Sequence, residues 1–282
     1  MTTATIGSAL SSSRTALQKA GIDSAALDAR LLVAASLESP VETVIAWPER
    51  LLPAPAAERL EALLRRRVAR EPMAYILGRR EFWSLDLAVT PATLTPRPDS
   101  ETLVAAVLDA LPDRQAKLRL ADFGTGSGCL LLALLTELPA ASGIGVDIDA
   151  AAAELARGNA ARLGLEQRTQ IVQGEWGRSL DGPFDIIVSN PPYIPTGDLA
   201  GLEPELRYEP RLALDGGDDG LTAYRRLIPD AARLLQPGGL LALEIGIDQA
   251  PAVEALLVAS GLIPLGVRRD LALIERCVLA RR

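Results

Sequence analysis

The residues best suited to chemistry in this chain are Asn190, Pro191, Pro192 and Tyr193, which follow the largely apolar run 184–188. Two consecutive prolines restrict the backbone and keep Asn190 and Pro191 out of helical conformations, so the loop is stiff. The side-chain carbonyl of Asn190 and the main-chain carbonyl of Pro191 can then accept both hydrogens of a planar NH2 group. Tyr193 can stack on that group. We predict catalytic roles for Asn190, Pro191 and Tyr193, with Pro192 as a further substrate contact.

Such a clamp suits an amide or an aromatic amine, whose nitrogen is a poor nucleophile because its lone pair is delocalised. Hydrogen bonds that strengthen as the nitrogen becomes positive stabilise the transition state. The chain contains no histidine, which excludes Ser-His and Cys-His nucleophilic machinery and removes the commonest general base. Its two cysteines, Cys129 and Cys277, form no CxxC pair, so we expect no metal site.

A second candidate segment is the glycine-rich run Gly124-Thr125-Gly126-Ser127-Gly128, which lies between an apolar strand and an apolar helix. Glycines let the backbone turn sharply and approach a ligand closely. The spacing is GxGxG, whereas dinucleotide-binding loops have GxGxxG and bring a pyrophosphate to the helix start. S-adenosylmethionine has no phosphate and needs room for its methionine part, so this loop favours it as the cofactor.

Asp147 and Trp176 extend the predicted cofactor site. Asp147 ends the predicted strand 143–146, a position from which a carboxylate can accept both hydroxyls of a ribose. Trp176 follows the next strand, where its indole could flank an adenine ring. The alternatives are an aspartate that only caps the next helix and a tryptophan that belongs to the core. The spacing of Asp147 from the glycine-rich run favours cofactor binding.

The elements that must position these residues form an α/β fold in three parts. Residues 1–72 carry apolar residues at helical spacing and predict a small helical domain of four short helices. Residues 73–94 predict a β-hairpin connector, and residues 95–282 alternate short apolar runs with helical stretches, as in a Rossmann-like domain. We expect Asp99 or Ser100 to cap a helix. We expect 236–239 to end a helix before a strand. The predicted parallel strands are 118–123, 143–146, 169–172, 184–189 and 240–245, followed by a C-terminal hairpin.

Composition limits the partners. The chain has 282 residues, with 29 basic and 36 acidic side chains and a net charge of −7, so no global field attracts a polyanion. Binding to nucleic acid is therefore not expected. No run of roughly eighteen apolar residues occurs, and the first residues do not read as a leader peptide. We expect a cytoplasmic protein without a membrane contact.

Several segments together closely resemble one family, the release-factor glutamine methyltransferases (HemK/PrmC). The resemblance spans nearly the whole chain. The segments that carry it are Tyr75-Ile76-Leu77-Gly78, Glu81-Phe82-Trp83, Thr95-Pro96-Arg97-Pro98-Asp99-Ser100-Glu101, the glycine-rich run, Asn190 to Tyr193, Tyr208-Glu209-Pro210 and Glu244-Ile245-Gly246.

The resemblance implies a class I S-adenosylmethionine-dependent methyltransferase that methylates the glutamine of a Gly-Gly-Gln loop in class I peptide release factors, a step in translation termination. Ser100 replaces the family's usual threonine, and Glu175 its usual aspartate. Arg97 and Glu101 are signature positions for which we expect a structural ion pair between strand and helix. The positions that resemble cofactor contacts are Gly124, Thr125, Gly126, Ser127, Gly128, Asp147, Trp176 and Asn190.

Three other functions fit part of the pattern. The same clamp suits an exocyclic amine of an extruded adenine or guanine, and the run Arg65-Arg66-Arg67 could contact phosphate, although the acidic net charge argues against this. Glutamine in a ribosomal protein is another possible target. A catalytically silent, cofactor-binding partner protein is the third alternative, and the complete Asn190 to Tyr193 motif argues against it.

Overall fold

The computed structural model describes residues 4–282, which form two compact units. The first comprises the chain through Gly78 together with Glu203–Tyr208, and the second comprises Arg79–Leu202 and Glu209–Arg282. The short segment Glu203–Tyr208 thus belongs to the first unit although it lies far along the chain. Among the described residues no helix is both long and apolar enough to cross a membrane.

The first unit is helical around one apolar core. Thr5 caps its first helix by a reciprocal capping box with Ser8. Before the third helix Ser39 makes no such cap, because its hydroxyl donates to the carbonyl of Leu37. Four helices were expected and a short fifth follows them. The helices are α1 Ile6–Lys19, α2 Ala25–Ser36, α3 Val41–Ala46, α4 Ala54–Val68 and α5 Met73–Leu77.

Buried ion pairs hold Glu203–Tyr208 in the first unit. The guanidinium of Arg67 lies 2.7 Å from a carboxylate oxygen of Asp28 and 2.9 Å from one of Glu205. Arg70 reaches the other oxygen of Glu205 at 2.9 Å. Arg67 and Asp28 are almost completely buried, so neither charge has water as an alternative partner.

The second unit is built on a seven-stranded sheet in the order β5-β4-β3-β6-β7-β9-β8. Strands β3 to β7 pair in parallel, while β9 and β8 are antiparallel at one edge. The strands are β3 Arg119–Phe123, β4 Ser142–Asp147, β5 Thr169–Gln173, β6 Phe184–Ser189, β7 Leu235–Glu244, β8 Ile263–Arg269 and β9 Glu275–Arg281. A separate antiparallel hairpin pairs β1 Arg79–Phe82 with β2 Leu85–Ala88.

Helices cover both faces of this sheet. One face packs against residues of α6, α7 and α8, including Leu131 and Ala156. The other packs against α9 and α10, including Tyr224 and Leu257. The helices are α6 Glu101–Asp109, α7 Cys129–Glu137, α8 Ala150–Arg162, α9 Thr222–Leu234 and α10 Ala250–Ala259. A parallel sheet covered on both faces by helices, as predicted, is the Rossmann-like arrangement.

Two predictions of element boundaries were wrong. Residues 236–239 do not separate a helix from a strand, because they lie inside β7, where the pairing with β6 shifts register after Phe184. Gly238 adopts φ +80° there, a conformation that an irregular strand can use. The hairpin is also shorter than predicted, since Met73–Leu77 is helical and ends at Gly78 in the left-handed conformation.

The strand order determines where ligands can bind. From β3 the chain continues to β4 and β5 on one side, and then returns to β6 on the other side of β3. Ligands bind outside the carboxyl ends of the strands at such a switch point. Gly124 follows β3, Asp147 ends β4 and Asn190 follows β6, so all three lie at this edge.

We expect Arg67→Ala to destabilise the chain by about 3–5 kcal/mol, because it leaves the buried Asp28 carboxylate without a partner. Denaturant unfolding followed by helical circular dichroism measures this. The matched control is Arg65→Ala, whose partner Glu61 and own side chain are both exposed, so a loss of roughly 0.5 kcal/mol or less is expected. Equal effects of the two substitutions would contradict a structural role for the Arg67 pair.

Candidate functional site

A cleft of about 240 Å³ opens in the second unit at the carboxyl edge of the sheet. Ser100, Pro210 and Leu212 contribute to its wall, beside most of the residues predicted from sequence. Gly128, Pro191 and Tyr193 lie next to this wall and do not line it. The predicted residues on the wall are Gly124, Thr125, Gly126, Ser127, Asp147, Trp176, Asn190 and Pro192.

The glycine-rich run forms a tight turn that leaves room above it. The amides of Gly124 and Thr125 both donate to the carbonyl of Val146, at 2.8 and 2.9 Å. Gly126 has φ +56°, and a Cβ built on it would have no neighbour within 4 Å. Gly128 has φ +83°, and a Cβ there would lie 3.0 Å from Leu132. Gly128 therefore serves close packing at the start of α7, while Gly126 keeps backbone open to a ligand.

Asp147 presents a carboxylate that the backbone has already oriented. Its Oδ2 accepts the amide of Gly126 at 2.8 Å, and its Oδ1 accepts the amide of Asp149 at 3.0 Å. A carboxylate has about four acceptor positions, so lone pairs remain for the two hydroxyls of a ribose. Burial raises the pKa of Asp147, while these backbone hydrogen bonds lower it.

Asp122 lies buried below the same loop, and no role was predicted for it. Its Oδ2 accepts the hydroxyl of Thr125 at 2.7 Å, and its Oδ1 has no hydrogen-bond partner. Burial raises the pKa of Asp122 to about 7, the Thr125 hydroxyl opposes the shift, and the charge of Asp147 adds to it. Two carboxylates whose negative charge is costly to hold favour a cationic ligand. S-adenosylmethionine carries a sulfonium and an ammonium, so these residues fit the predicted cofactor.

Trp176 lies between the cleft and the core. It lines the cleft, and it also packs against the core on the α9 face of the sheet. A Cβ added to Gly124 would lie 3.4 Å from the Trp176 ring, so the indole sits close to the loop backbone. Glu175 beside it points to Arg178 at 2.8 Å and Arg226 at 3.3 Å.

The loop after β6 is held from several directions. The carbonyl of Tyr193 accepts from Gln249 Nε2 at 2.9 Å, and the amide of Ile194 donates to Leu214 at 3.0 Å. The Tyr193 hydroxyl lies 3.5 Å from a carboxylate oxygen of Glu244. Burial raises the pKa of Tyr193, so its phenol stays neutral at pH 7. Asn190 donates from Nδ2 to the Ser100 hydroxyl at 3.2 Å.

The signature residues Arg97 and Glu101 have separate partners. Arg97 lines the cleft and pairs at 2.7 Å with Glu209, whose carboxylate is buried. The Glu101 carboxylate accepts a hydrogen bond from the backbone amide of Trp83 at 2.9 Å and so links α6 to the β1–β2 hairpin. The ion pair expected between Arg97 and Glu101 is therefore not formed, because Arg97 pairs with Glu209 and Glu101 binds a backbone amide.

Sequence reasoning missed Glu209 and Glu244 as neighbours of the site. For Glu244 a signal was present. Strand β6 pairs in parallel with β7, and Ser189 lies opposite Leu243. The next residues of the two chains, Asn190 and Glu244, therefore lie side by side at the carboxyl edge of the sheet. For Glu209 the family resemblance of Tyr208-Glu209-Pro210 marked the position but not its partner, because it reaches Arg97 from an irregular segment 112 positions away.

Comparisons with known proteins agree with this geometry. Residues 8–78 match the family model "PrmC N-terminal domain" and residues 99–200 match "Methyltransferase small domain". A release factor glutamine methyltransferase of Rhodospirillum rubrum is 48% identical over 94% of this chain and 82% of its own length. Another, of Caulobacter vibrioides, is 46% identical over 98% of this chain and 96% of its own.

Among solved structures, the catalytic domain of hMettl16 in complex with a 3′UTR hairpin has a similar fold. Its TM-score is 0.60 at 16% identity, covering 74% of this chain and 81% of that one. At this identity the likeness supports the methyltransferase fold alone.

We expect Asp147→Ala to weaken binding of S-adenosylmethionine by about 10- to 100-fold, because hydrogen bonds to a charged group contribute about 1.5–3 kcal/mol. Isothermal titration calorimetry on the intact chain measures this. The control, Asp113→Ala, removes an exposed carboxylate from a turn away from the cleft and should leave affinity unchanged. Unaltered affinity in Asp147→Ala would contradict the ribose contact.

Proposed function

The chain belongs to the release factor glutamine methyltransferases, and we propose that it methylates the side-chain amide of the glutamine in the Gly-Gly-Gln motif of class I peptide release factors. The methyl donor is S-adenosylmethionine. The observation that carries the proposal is the orientation of Asn190, whose Nδ2 is bonded to Ser100 at the same cleft as Asp147. We also propose a cytoplasmic location, where peptide release takes place.

The donor supplies an electrophilic methyl group on a sulfonium, and the protein must present an amide nitrogen to it. In the proposed complex Asn190 Oδ1 and the carbonyl of Pro191 each accept one hydrogen of the glutamine NH2. Both contacts strengthen as the nitrogen gains positive charge, so they stabilise the transition state more than the ground state. An N-methylated amide cation is a strong acid and gives its proton to water, so a chain without histidine can complete the reaction.

The glycines of the proposed substrate suit the cleft. A glutamine preceded by two glycines sits on backbone that can approach closely, since no Cβ precedes it. The residues that line the cleft include Thr95, Pro96, Arg97, Pro210 and Leu212. We propose that these residues contact the backbone of the glycine-containing loop.

Purified release factor, S-adenosylmethionine carrying a labelled methyl group and the intact chain test the proposed substrate. We expect label on the release factor and none on a variant with alanine in place of the Gly-Gly-Gln glutamine. Ribosomal proteins, DNA and ribosomal RNA serve as competing substrates in parallel reactions. Label on ribosomal protein or on nucleic acid, with none on the release factor, would replace the proposed substrate by one of those alternatives.

We expect Asn190→Ala to lower kcat by about 100-fold or more, in the range seen when one preorganised transition-state contact is removed. The affinity for S-adenosylmethionine should change by less than about threefold, because Asp147 and the glycine-rich run remain intact. Single-turnover transfer and calorimetry measure the two quantities. An unchanged kcat would rule out the amide clamp.

We propose that residues 1–72 form a domain that recognises the protein substrate, with residues 73–94 as connector and 95–282 as the methyltransferase domain. The motivation is that residues 8–78 match a family model of their own. Hydrogen exchange of the intact chain, with and without release factor, tests this. Slower exchange is expected in α1 to α4 on binding. Protection confined to the cleft would contradict a recognition role for residues 1–72.

A further inference from the structure

The side-chain amide of asparagine has two ends of nearly equal size and opposite hydrogen-bonding character. Only the oxygen end can accept a hydrogen bond from a substrate NH2 group. The nitrogen end is itself a donor and would face the substrate NH2 without forming a hydrogen bond. Shape therefore does not select the productive orientation of Asn190. Something in its surroundings must distinguish the two ends.

Ser100 is the residue that contacts the far end of Asn190. Its hydroxyl oxygen lies 3.2 Å from Asn190 Nδ2, and Ser100 is almost completely buried, with 2% of its surface exposed. Ser100 stands at the N-terminus of α6, where a hydroxyl usually caps the helix, as was expected from the sequence. It makes no side-chain capping bond there. The hydroxyl is therefore available to Asn190.

A hydroxyl both donates and accepts, so Ser100 alone could bond either end of the amide. Glu244, which ends β7 and is also 2% exposed, removes this ambiguity. An ionised carboxylate only accepts. Burial raises the pKa of Glu244 to about 7, while the neighbouring Ser100 hydroxyl and Arg276 lower it, so above that pH the carboxylate is ionised. Glu244 Oε2 has no hydrogen bond that meets ordinary geometry and is free to take the serine proton.

The other groups around Glu244 leave it the dominant acceptor. Arg276 of β9 favours its charged form and is itself paired with Asp99 at 3.0 Å. Burial raises the pKa of Tyr193, of Tyr224 on α9, of Cys129 on α7 and of Cys277 on β9, so all four are neutral at pH 7. The Tyr224 hydroxyl is engaged with the main-chain carbonyl of Glu244 at 2.8 Å.

We propose that Ser100 is a positioning residue that holds Nδ2 of Asn190 and so turns Oδ1 toward the substrate nitrogen. Glu244 accepts a hydrogen bond from the Ser100 hydroxyl, so a lone pair of the serine oxygen remains to accept from Asn190 Nδ2. This inference rests on the proposed function of Asn190 as the amide clamp. It assigns Ser100 and Glu244 no contact with the reacting atoms.

The test compares Ser100→Ala in two backgrounds. With Asn190 present, kcat should fall about 5- to 20-fold, the effect of one lost hydrogen bond, while the Kd of S-adenosylmethionine changes less than about threefold. In Asn190→Asp both side-chain oxygens accept, so no wrong end exists, and adding Ser100→Ala should change kcat less than about twofold. Ser100→Thr keeps the hydroxyl and should recover most of the rate lost in Ser100→Ala.

Equal losses in both backgrounds would mean that Ser100 acts through packing and would overturn the inference. Glu244→Gln offers a donor as well as an acceptor to Ser100, so a several-fold lower kcat is expected. An unchanged kcat in Glu244→Gln would show that Glu244 does not orient the Ser100 hydroxyl. If wild-type protein methylates release factor while Ser100→Ala keeps its full kcat, the inference fails and the proposed function stands.

A readout without turnover covers the case in which Asn190→Asp is inactive. The side-chain NH2 protons of Asn190 can be followed by NMR of the intact, 15N-labelled chain. They should exchange with water at least about tenfold more slowly in wild type than in Ser100→Ala, since the bond to a buried hydroxyl is lost. Equal exchange rates in the two proteins would contradict the Ser100 contact.

Discussion

The site depends on the parallel pairing of β3 with β6. The register sets Phe123 opposite Ser189, and the Ser189 hydroxyl donates to the carbonyl of Phe123 at 2.6 Å. The two chains therefore leave the sheet side by side, as Gly124 and Asn190. A slip of one residue would reverse the faces of a strand whose residues are buried. The hydrophobic core thus enforces the alignment of the two loops for which we propose cofactor and substrate binding.

Burial determines the electrostatics at this edge. Asp122 and Glu244 both have pKa values raised to about 7, and in both cases the largest cause is loss of water around the carboxylate. They differ in their neighbours. Asp122 lies near another carboxylate, Asp147, whereas Glu244 lies near Arg276. The first arrangement favours a cationic ligand above it, and in the second the charge of Arg276 opposes the effect of burial and favours the ionised carboxylate, which can accept from neighbouring hydroxyls.

The sequence predicted the sheet well, because buried parallel strands are continuous apolar runs and their ends carry the polar residues. All five predicted parallel strands exist, although β7 begins earlier than expected. The failures involve contacts between distant positions. Glu205 reaches Arg67 across 138 positions, and Glu209 reaches Arg97 across 112. Local patterns carry no information on such partners, and Ser100 could not be separated from an ordinary helix cap without knowing where Asn190 lies.

Selectivity cannot come from the proposed amide clamp alone. Two acceptors reject a carboxylate or a hydroxyl, since each would leave an acceptor without a hydrogen, and sites built to hydrogen-bond a group discriminate strongly against analogues that lack it. A glutamine amide and an exocyclic base amine both offer two hydrogens on a planar nitrogen, so the clamp treats them alike. What separates them is the charge around the cleft. A polynucleotide would bring phosphates toward a chain of net charge −7, and the cleft wall carries the carboxylates of Asp147, Asp149, Glu175 and Asp215 against the two guanidinium groups of Arg97 and Arg226. A neutral glycine-containing loop meets no such repulsion, which favours a protein substrate at this site.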